Sequence, residues 1–323
     1  MSSEAHPLIV IVGPTGSGKT ALSLSLAAGV AELGFGAGEG EIVSCDSVAV
    51  YHDFEIGTAK PTREERARVP HHMIDVASPD KSFTAGEYAR QSHQALQEIK
   101  ARGNLPILVG GTGLYLRALI DGLSPAPQRS EDLRVRLRDR ATHKGTSYLH
   151  GILKRLDPAA AETIHPNDLP KIIRAIEICL SEGEAMTTLW ERGREPLKGF
   201  RPIKIGLNPD RKLLYERINA RCRRMFDEGL VAETRALLKK YENTLLQPNS
   251  PLNALGYRQA VSLLRGEMSA DQAVTAAQQA HRNYAKRQLT WFRGDQNIQW
   301  LAGLGDDPEI QKKVVALVKV AVF

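Results

Sequence analysis

The chain has 323 residues, a formal net charge of +6 and a pI of about 9.2, so its charge favours a polyanionic partner only weakly. Its 42% hydrophobic and 25% charged residues are ordinary for a soluble globular protein, and no apolar run approaches the ~20 residues that span a bilayer. Its three cysteines, Cys45, Cys179 and Cys222, are far apart and form no C-x-x-C pair, so they indicate neither a disulfide framework nor a zinc finger.

The length suggests one large domain or two smaller ones. The first seven residues contain no basic region followed by an apolar one, which is the pattern of a secretory signal. Together with the cysteine content, this predicts a cytoplasmic protein without a membrane anchor.

The first element in chain order is an apolar, β-branched strand over residues 8–12, and a helical pattern begins at Ala21. The turn between them has the phosphate-binding P-loop spacing and consists of Gly13, Pro14, Thr15, Gly16, Ser17, Gly18, Lys19 and Thr20. Its backbone N–H groups and the helix N-terminus favour an anion, Lys19 supplies a charge for the outer phosphate, and Thr20 is a candidate Mg²⁺ ligand. Nucleotide hydrolysis, phosphoryl transfer and displacement of a diphosphate are all compatible with this motif.

Buried strands are also predicted over residues 41–45, 105–109 and 202–207, and a long amphipathic helix runs from 83 to about 101. A glycine-rich connection, 34–40, precedes the second strand. The first three strands end in polar or glycine-rich turns, which right-handed crossovers bring to one edge of a parallel sheet. Asp46 is therefore placed beside the P-loop.

The composition changes at residues 123–127, and from 130 to about 198 the pattern is helical and charged. We therefore predict an α/β fold, with a P-loop NTPase-like parallel sheet flanked by helices and a helical insertion domain. The predicted core comprises residues 1–125 and 201–323, and the insertion comprises 126–200. After the strand at 202–207 the remainder is predicted to be helical, and the tail after Gly303 gives no signal.

Two residues in the turns are candidates for chemistry. A carboxylate at the position of Asp46 can hold Mg²⁺ through water or act as a general base, but it can equally be a turn residue that bonds its own backbone. The Thr112 hydroxyl lies in a glycine-rich turn at a helix start, where it can stabilise a developing negative oxygen or serve as an N-cap. The sequence alone leaves both pairs of interpretations open.

Two basic segments are candidates for binding phosphate or RNA. Arg217, Arg221 and Arg224 share one helix face, although a solvated basic face is the usual explanation for such spacing. Residues 285–293 interleave cations with aromatics, as single-stranded RNA requires, but Trp291 and Phe292 fit a core equally well. The His71-His72 pair is interpreted as structural.

The chain carries these motifs in a fixed order up to about residue 293: the P-loop, Asp46-Ser47 with Tyr51, IGTAKP at 56–61, PHHMID at 70–75, LVGGTGLY at 108–115, HPND at 165–168, GYR at 256–258 and KRQLTWFR at 286–293. In combination they resemble the tRNA dimethylallyltransferases, also called tRNA isopentenyltransferases. The resemblance implies transfer of a dimethylallyl group from dimethylallyl diphosphate to N6 of the adenine at tRNA position 37, next to the anticodon. Eukaryotic members carry a C-terminal zinc finger. This sequence shows no zinc-finger motif, so the resemblance is to the bacterial type.

The resemblance also implies roles for residues. The P-loop with Lys19, Thr20 and Mg²⁺ holds the diphosphate as a leaving group, Asp46 accepts the proton of the adenine amine, and Thr112 and Arg221 stabilise the charge on the diphosphate. The protein is expected to be a monomer and to have no membrane partner. It is expected to bind the anticodon stem-loop through four segments of the chain. These are Asp46, Ser47, Val48 and Ala49; Pro170, Lys171, Ile172, Ile173 and Arg174; Asn253, Ala254, Leu255, Gly256, Tyr257 and Arg258; and Lys286, Arg287 and Gln288.

Two alternatives share the P-loop. A kinase of a small metabolite or nucleotide would move phosphate from ATP and leaves the segment around Gln288 unexplained. A non-enzymatic RNA-binding protein gives no reason for Asp46 and Thr112 to converge.

Overall fold

Six parallel strands form one sheet in the computed structural model, which describes residues 5–30, 38–124, 126–127, 129–241 and 250–322. The strands are β1 His6–Val12, β2 Gly40–Cys45, β3 His71–His72, β4 Leu105–Gly110, β5 Phe200–Leu207 and β6 Gln299–Leu301. Their order across the sheet is β3-β2-β4-β1-β5-β6. The predicted α/β fold with a parallel sheet is confirmed. Most of the glycine-rich connection at 34–40 lies outside the described residues.

The chain divides into two compact units, residues 1–120 with 197–323, and residues 121–196. The helices of the sheet unit are α1 Lys19–Ala28, α2 Arg63–Arg68, α3 Ala85–Ala101, α4 Gly113–Ile120, α10 Arg211–Asp227, α11 Leu230–Tyr241, α12 Tyr257–Leu264, α13 Ala270–Phe292 and α14 Pro308–Val322. The second unit contains α5 Glu131–Lys144, α6 Thr146–Leu156, α7 Pro158–Thr163, α8 Leu169–Glu182 and α9 Met186–Glu191. Among the residues described, no helix is both long and apolar enough to cross a bilayer.

The sheet is covered on both faces, as expected of buried parallel strands. Along β1, Leu8, Val10 and Val12 belong to one apolar cluster, whereas Ile9 and Ile11 belong to a second cluster on the opposite face. This explains why the strand appears in the sequence as a continuous apolar run without alternation.

The strands β1, β2 and β4 end level with one another. Gly110 is the register partner of both Val12 and Cys45, so the turns that follow the three strands lie at one edge of the sheet. The convergence predicted from right-handed crossovers is thereby confirmed, and it brings the P-loop, the Asp46 turn and the Gly110–Gly113 turn together.

The second unit has its own apolar core and a buried ionic group centred on Glu177. Glu177 is fully buried; it accepts hydrogen bonds from Ser130 N at 2.7 Å and Arg134 Nε at 3.3 Å. Arg174 donates to the same carboxylate at 2.7 Å and to Pro127 O at 3.0 Å. These hydrogen-bond donors stabilise the buried negative charge of Glu177.

The prediction of an all-helical C-terminal segment is wrong at β6, which pairs with β5 in the register Ile205 with Gln299 and Leu207 with Leu301. Three residues of mixed polarity at a sheet edge give too little alternation to be recognised. The tail after Gly303 is ordered as well. It forms α14, in which Ile310, Val314 and Val318 recur every four residues and pack on the second apolar cluster.

Glu41 is a carboxylate, 2% exposed, at the start of β2. It accepts hydrogen bonds from Arg102 Nε and Nη2 at 2.9 and 2.8 Å, from Asn104 Nδ2 at 2.7 Å, and lies 2.6 Å from His72 Nε2. Burial acts to raise the pKa of Glu41, but these hydrogen bonds outweigh it and lower the pKa to about 2. The interaction with His72 supports the structural interpretation of that histidine.

We expect Glu41→Gln to destabilise the protein by about 2–3 kcal/mol at pH 7, because a buried, fully bonded carboxylate loses its charge. The folded pKa lies below the unfolded value, so the ionised group stabilises the fold above about pH 4.5 and progressively less as the pH falls towards 2. Urea unfolding of both proteins from pH 7 to pH 3 measures this as a shrinking difference in unfolding free energy. Glu98→Gln, an exposed change on α3, is the control, and a difference independent of pH would contradict the assignment.

Candidate active site

The P-loop connects β1 to α1, and its glycines adopt backbone conformations that other residues rarely take. Gly16 and Gly18 have φ of 81° and 85°. A Cβ on Gly18 would lie 2.8 Å from both Gly305 N and Asp306 Oδ1, so the segment after β6 packs directly on the loop. Gly305 N also donates to Ser17 O at 2.9 Å. The C-terminal tail therefore supports the P-loop from behind.

Lys19 points back across the P-loop. Its Nζ donates to Gly13 O at 3.0 Å and to Pro14 O at 2.8 Å. Burial, together with the nearby Arg221 guanidinium, lowers the pKa of Lys19 to about 7, against the attraction of Asp46. A desolvated cation of this kind gains from the approach of an anion.

Arg221 projects from α10 into the same cavity. Its Nη1 is 3.4 Å from Thr15 Oγ1 and its Nη2 is 3.3 Å from Thr58 O, while Nε is buried without a partner among the described residues. Burial lowers its pKa, although Asp46 opposes the shift. The buried Ser17 Oγ of the P-loop also lacks a described partner. Because Arg221 lines the cavity, its unpaired Nε fits a bound anion that completes its hydrogen bonds.

The other two arginines on this face of α10 are placed differently. Arg217 Nη1 donates to both oxygens of Asp306, at 2.7 and 2.9 Å, and is thus neutralised by the C-terminal tail. Arg224 lines the cavity with an exposed side chain. Of the three arginines that were candidates for binding phosphate, Arg221 is the one whose guanidinium contacts the P-loop, at Thr15.

Asp46 and Thr112 lie in neighbouring turns that are bonded to each other. Asp46 Oδ1 accepts from Val48 N at 2.8 Å and from Ala49 N at 3.1 Å, whereas Oδ2 makes no hydrogen bond to a described residue. Thr112 Oγ1 accepts from Ser47 N at 3.1 Å. One carboxylate oxygen therefore bonds the backbone of its own turn, which is the structural role that the sequence left open for Asp46. The other oxygen is available to a ligand.

Tyr284 and Gln288 of α13 complete the cavity, and sequence reasoning missed the first of them as a site residue. Burial and the Asp46 carboxylate raise the pKa of Tyr284 to about 12, against a hydrogen bond with Thr112, so its hydroxyl stays protonated. Gln288, predicted to bind tRNA, is 5% exposed and bonds Thr15 and Gly111. The i, i+4 spacing of Tyr284 and Gln288 was the available signal.

The cavity has a volume of about 580 Å³, and its lining includes Lys19, Thr20, Asp46, Arg221, Tyr284 and Gln288. Thr20 Oγ1 makes no hydrogen bond to any residue that the structure describes. In the described ranges no cluster of three or more His, Cys, Asp or Glu side chains could hold a metal by itself. The oxygen atoms of Thr20 and Asp46 nonetheless fit Mg²⁺, which usually takes one or two protein ligands together with phosphates and water.

The residues predicted to bind tRNA are partly exposed and partly buried. The exposed ones are Pro170, Lys171, Asn253, Arg258, Lys286 and Arg287. Ile172, Ile173 and Tyr257 are buried in apolar clusters, and Arg174 is bonded to Glu177. The two aromatic residues of the 285–293 segment also differ in exposure. Phe292 is in the core, whereas Trp291 is 43% exposed, and Arg117 Cζ lies 4.4 Å from the centre of the Trp291 ring.

Comparisons with known proteins agree with this geometry. A profile of the IPP transferase family matches residues 49–295. A tRNA dimethylallyltransferase from Koribacter versatilis is 56% identical over 314 residues, which are 97% of this chain and 98% of that protein. Another, from Solibacter usitatus, is 47% identical over 317 residues, or 98% and 99% of the two chains.

Solved structures give the same result. The full-length tRNA isopentenylpyrophosphate transferase from Bacillus halodurans is 35% identical, with a TM-score of 0.67 over 98% of this chain and 99% of that one. A eukaryotic dimethylallyltransferase acting on tRNA is 24% identical, with a TM-score of 0.79 over 97% and 78% of the two chains, and shows a shared fold. With its P-loop, its Asp46 and Thr112 turns and relatives that match nearly its whole length, the chain belongs to the IPP transferase family, the tRNA dimethylallyltransferases.

Proposed function

We propose that this chain transfers a dimethylallyl group from dimethylallyl diphosphate to N6 of the adenine at tRNA position 37. The observation that carries the proposal is that Asp46 Oδ2, which has no hydrogen-bond partner among the described residues, lies in the same cavity as the partly buried Lys19 and Arg221. The cations suit a diphosphate, and the carboxylate suits an amine that must lose a proton.

The reaction balances with these groups. The N6 lone pair forms a bond to the allylic carbon, the bond from that carbon to the diphosphate oxygen breaks with its electron pair, and the N6 proton passes to Asp46 Oδ2. Lys19, Arg221, Ser17 Oγ and the P-loop N–H groups hold the departing diphosphate, and the Thr112 hydroxyl stabilises charge beside it. Preorganised donors of this kind contribute about 10²–10³-fold each to rate.

Mg²⁺ is proposed as the cofactor, with the Thr20 hydroxyl as its ligand from this chain and Asp46 as a candidate through water. When bound, the ion neutralises charge on the diphosphate. No phosphoryl group is transferred, so binding of ATP by the P-loop would reflect the shape of the loop rather than the reaction.

We further propose that the exposed cations Lys286, Arg287 and Arg258 contact the tRNA backbone, and that Lys171 does so from the insertion unit. Extraction of the adenine from its stack costs on the order of a few kcal/mol, which such contacts offset. The enzyme is proposed to act as a monomer in the cytoplasm. The kinase alternative is not favoured, because the relatives that match the whole chain are named as dimethylallyltransferases.

The test combines purified protein, dimethylallyl diphosphate, Mg²⁺ and an unmodified tRNA with adenine at position 37. We expect the RNA to become heavier by one dimethylallyl unit with release of diphosphate, and the same tRNA with guanine at position 37 to stay unchanged. Omission of Mg²⁺ with a chelator present should slow the reaction. Consumption of ATP with no change in RNA mass would favour the kinase and overturn the proposal.

A further inference from the structure

The Gln288 side chain connects two loops that come from distant parts of the chain. Its Oε1 accepts from Thr15 N in the P-loop at 2.8 Å, and its Nε2 donates to Gly111 O in the turn after β4 at 2.9 Å. The amide is 5% exposed, and each of its two ends has one backbone partner. We refer to these two hydrogen bonds through Gln288 as the amide bridge.

The backbone around the amide bridge is shaped to admit it. A Cβ on Gly111 would lie 2.0 Å from Gln288 Nε2, so any other residue at that position would displace the amide. The bridge also occupies the N–H of Thr15, which is therefore not presented to a phosphate. This N–H group of the P-loop therefore holds the loop in place instead of binding a ligand.

The two loops belong to different parts of the proposed site, one to the diphosphate site and the other to the site of the attacking amine. Thr15 belongs to the loop that holds the diphosphate, and its hydroxyl contacts Arg221. Gly111 directly precedes Thr112, whose hydroxyl is bonded to Ser47 in the turn that carries Asp46. The amide bridge is thus a short link between the leaving-group site and the acceptor site.

We propose that Gln288 is a positioning residue, whose amide fixes the separation of the diphosphate site from the Asp46 and Thr112 turns. This inference rests on the proposed function and departs from the sequence-based expectation that Gln288 contacts tRNA. In a displacement reaction the attacking nitrogen, the allylic carbon and the leaving oxygen must be aligned, and a misplacement of about 1 Å can cost on the order of 10²-fold in rate.

Gln288→Glu is the informative substitution because it preserves size and keeps an acceptor for Thr15 N. The ionised carboxylate cannot donate to Gly111 O and instead repels it. The protonated acid restores both hydrogen bonds, with its O–H donating to Gly111 O and its C=O accepting from Thr15 N. Burial next to a carbonyl favours this protonated form.

We expect Gln288→Glu to lower kcat by about 10²-fold at pH 8 with the KM for tRNA and for dimethylallyl diphosphate nearly unchanged. Its kcat relative to the parent should rise several-fold as the pH falls towards 6, because a larger fraction of the acid is protonated. Comparison with Gln288→Leu, which adds no titratable group, separates this rise from the titration of the groups that line the cavity, which are Lys19, Asp46, Lys60, Glu65, His71, Arg217, Arg221, Arg224 and Tyr284.

Gln279→Glu makes the same chemical change at an exposed position on α13 and is the matched control; its ratio should stay near one at all pH values. Gln288→Leu removes both hydrogen bonds and should show the kcat loss without recovery at low pH. Thermal unfolding of each variant separates misplacement from misfolding.

Two results would overturn the inference. A rise in the KM for tRNA with kcat preserved would identify Gln288 as an RNA contact, and a kcat ratio independent of pH would exclude the amide bridge as the cause. If the parent protein transfers no dimethylallyl group at all, the proposed function has failed; if the parent is active and the variants give either of these two results, the inference alone has failed.

Discussion

Asp46→Asn is expected to lower the rate of dimethylallyl transfer by about 10²–10⁴-fold, the range lost when a general base is removed. The substitution isolates this role. An asparagine Oδ1 can still accept from Val48 N and Ala49 N, so the turn keeps its shape. Its NH₂ group replaces the free Oδ2, however, and cannot take the proton of the adenine amine.

The measurement is single-turnover transfer with enzyme in excess, accompanied by tRNA binding in the absence of the donor. Binding should change little, because the turn is preserved. Asp227→Asn, on the exposed side of α10, controls for the loss of one negative charge. A loss of tRNA affinity equal to the loss of rate would make Asp46 a recognition residue instead of the base.

Arg221→Met is expected to have two effects of opposite sign. The kcat/KM for dimethylallyl diphosphate should fall by about 10²–10³-fold, because a preorganised cation at the leaving group is removed. The free protein should become more stable, because a buried guanidinium with an unpaired Nε is replaced by an apolar side chain of similar length. A rise in melting temperature of a few degrees corresponds to about 1 kcal/mol.

Scanning calorimetry with and without inorganic diphosphate distinguishes the two effects. Diphosphate should raise the melting temperature of the parent protein more than that of Arg221→Met, since ligand stabilisation scales with affinity. Arg223→Met, at an exposed position on the same helix, is the control and should alter neither quantity. A lower melting temperature for Arg221→Met would mean that the contacts to Thr15 and Thr58 outweigh the cost of burying the charge.

The centre of the sheet was predictable because β1, β2 and β4 are largely buried on both faces and therefore form mainly apolar runs. The ends of β1, β2 and β4 could be placed at one edge before their register was known, since parallel crossovers have one handedness. The same rule brought Asp46, Thr112 and the P-loop together. Such rules act on whole elements, so they need only the positions of strands and turns.

Individual side-chain partners were not predictable in this way. Arg217 and Arg221 are one helical turn apart and look alike in the sequence, yet Asp306 neutralises the first and burial directs the second to Thr15. Gln288 lies among cations that suggested RNA, but its own position on α13 faces inward. These outcomes depend on contacts between segments that are far apart in the chain, and local spacing shows which residues share a helix face but not what that face contacts.

The P-loop is synthesised long before the residues that support it. Thr15 is bonded to a residue 273 positions later, and Ser17 is bonded to Gly305. A nascent chain therefore carries the motif before it has the contacts that hold the motif in shape. The donor site is completed only after Gly305 has been synthesised, so a chain that has not reached this residue holds a phosphate-binding sequence without a finished phosphate-binding site.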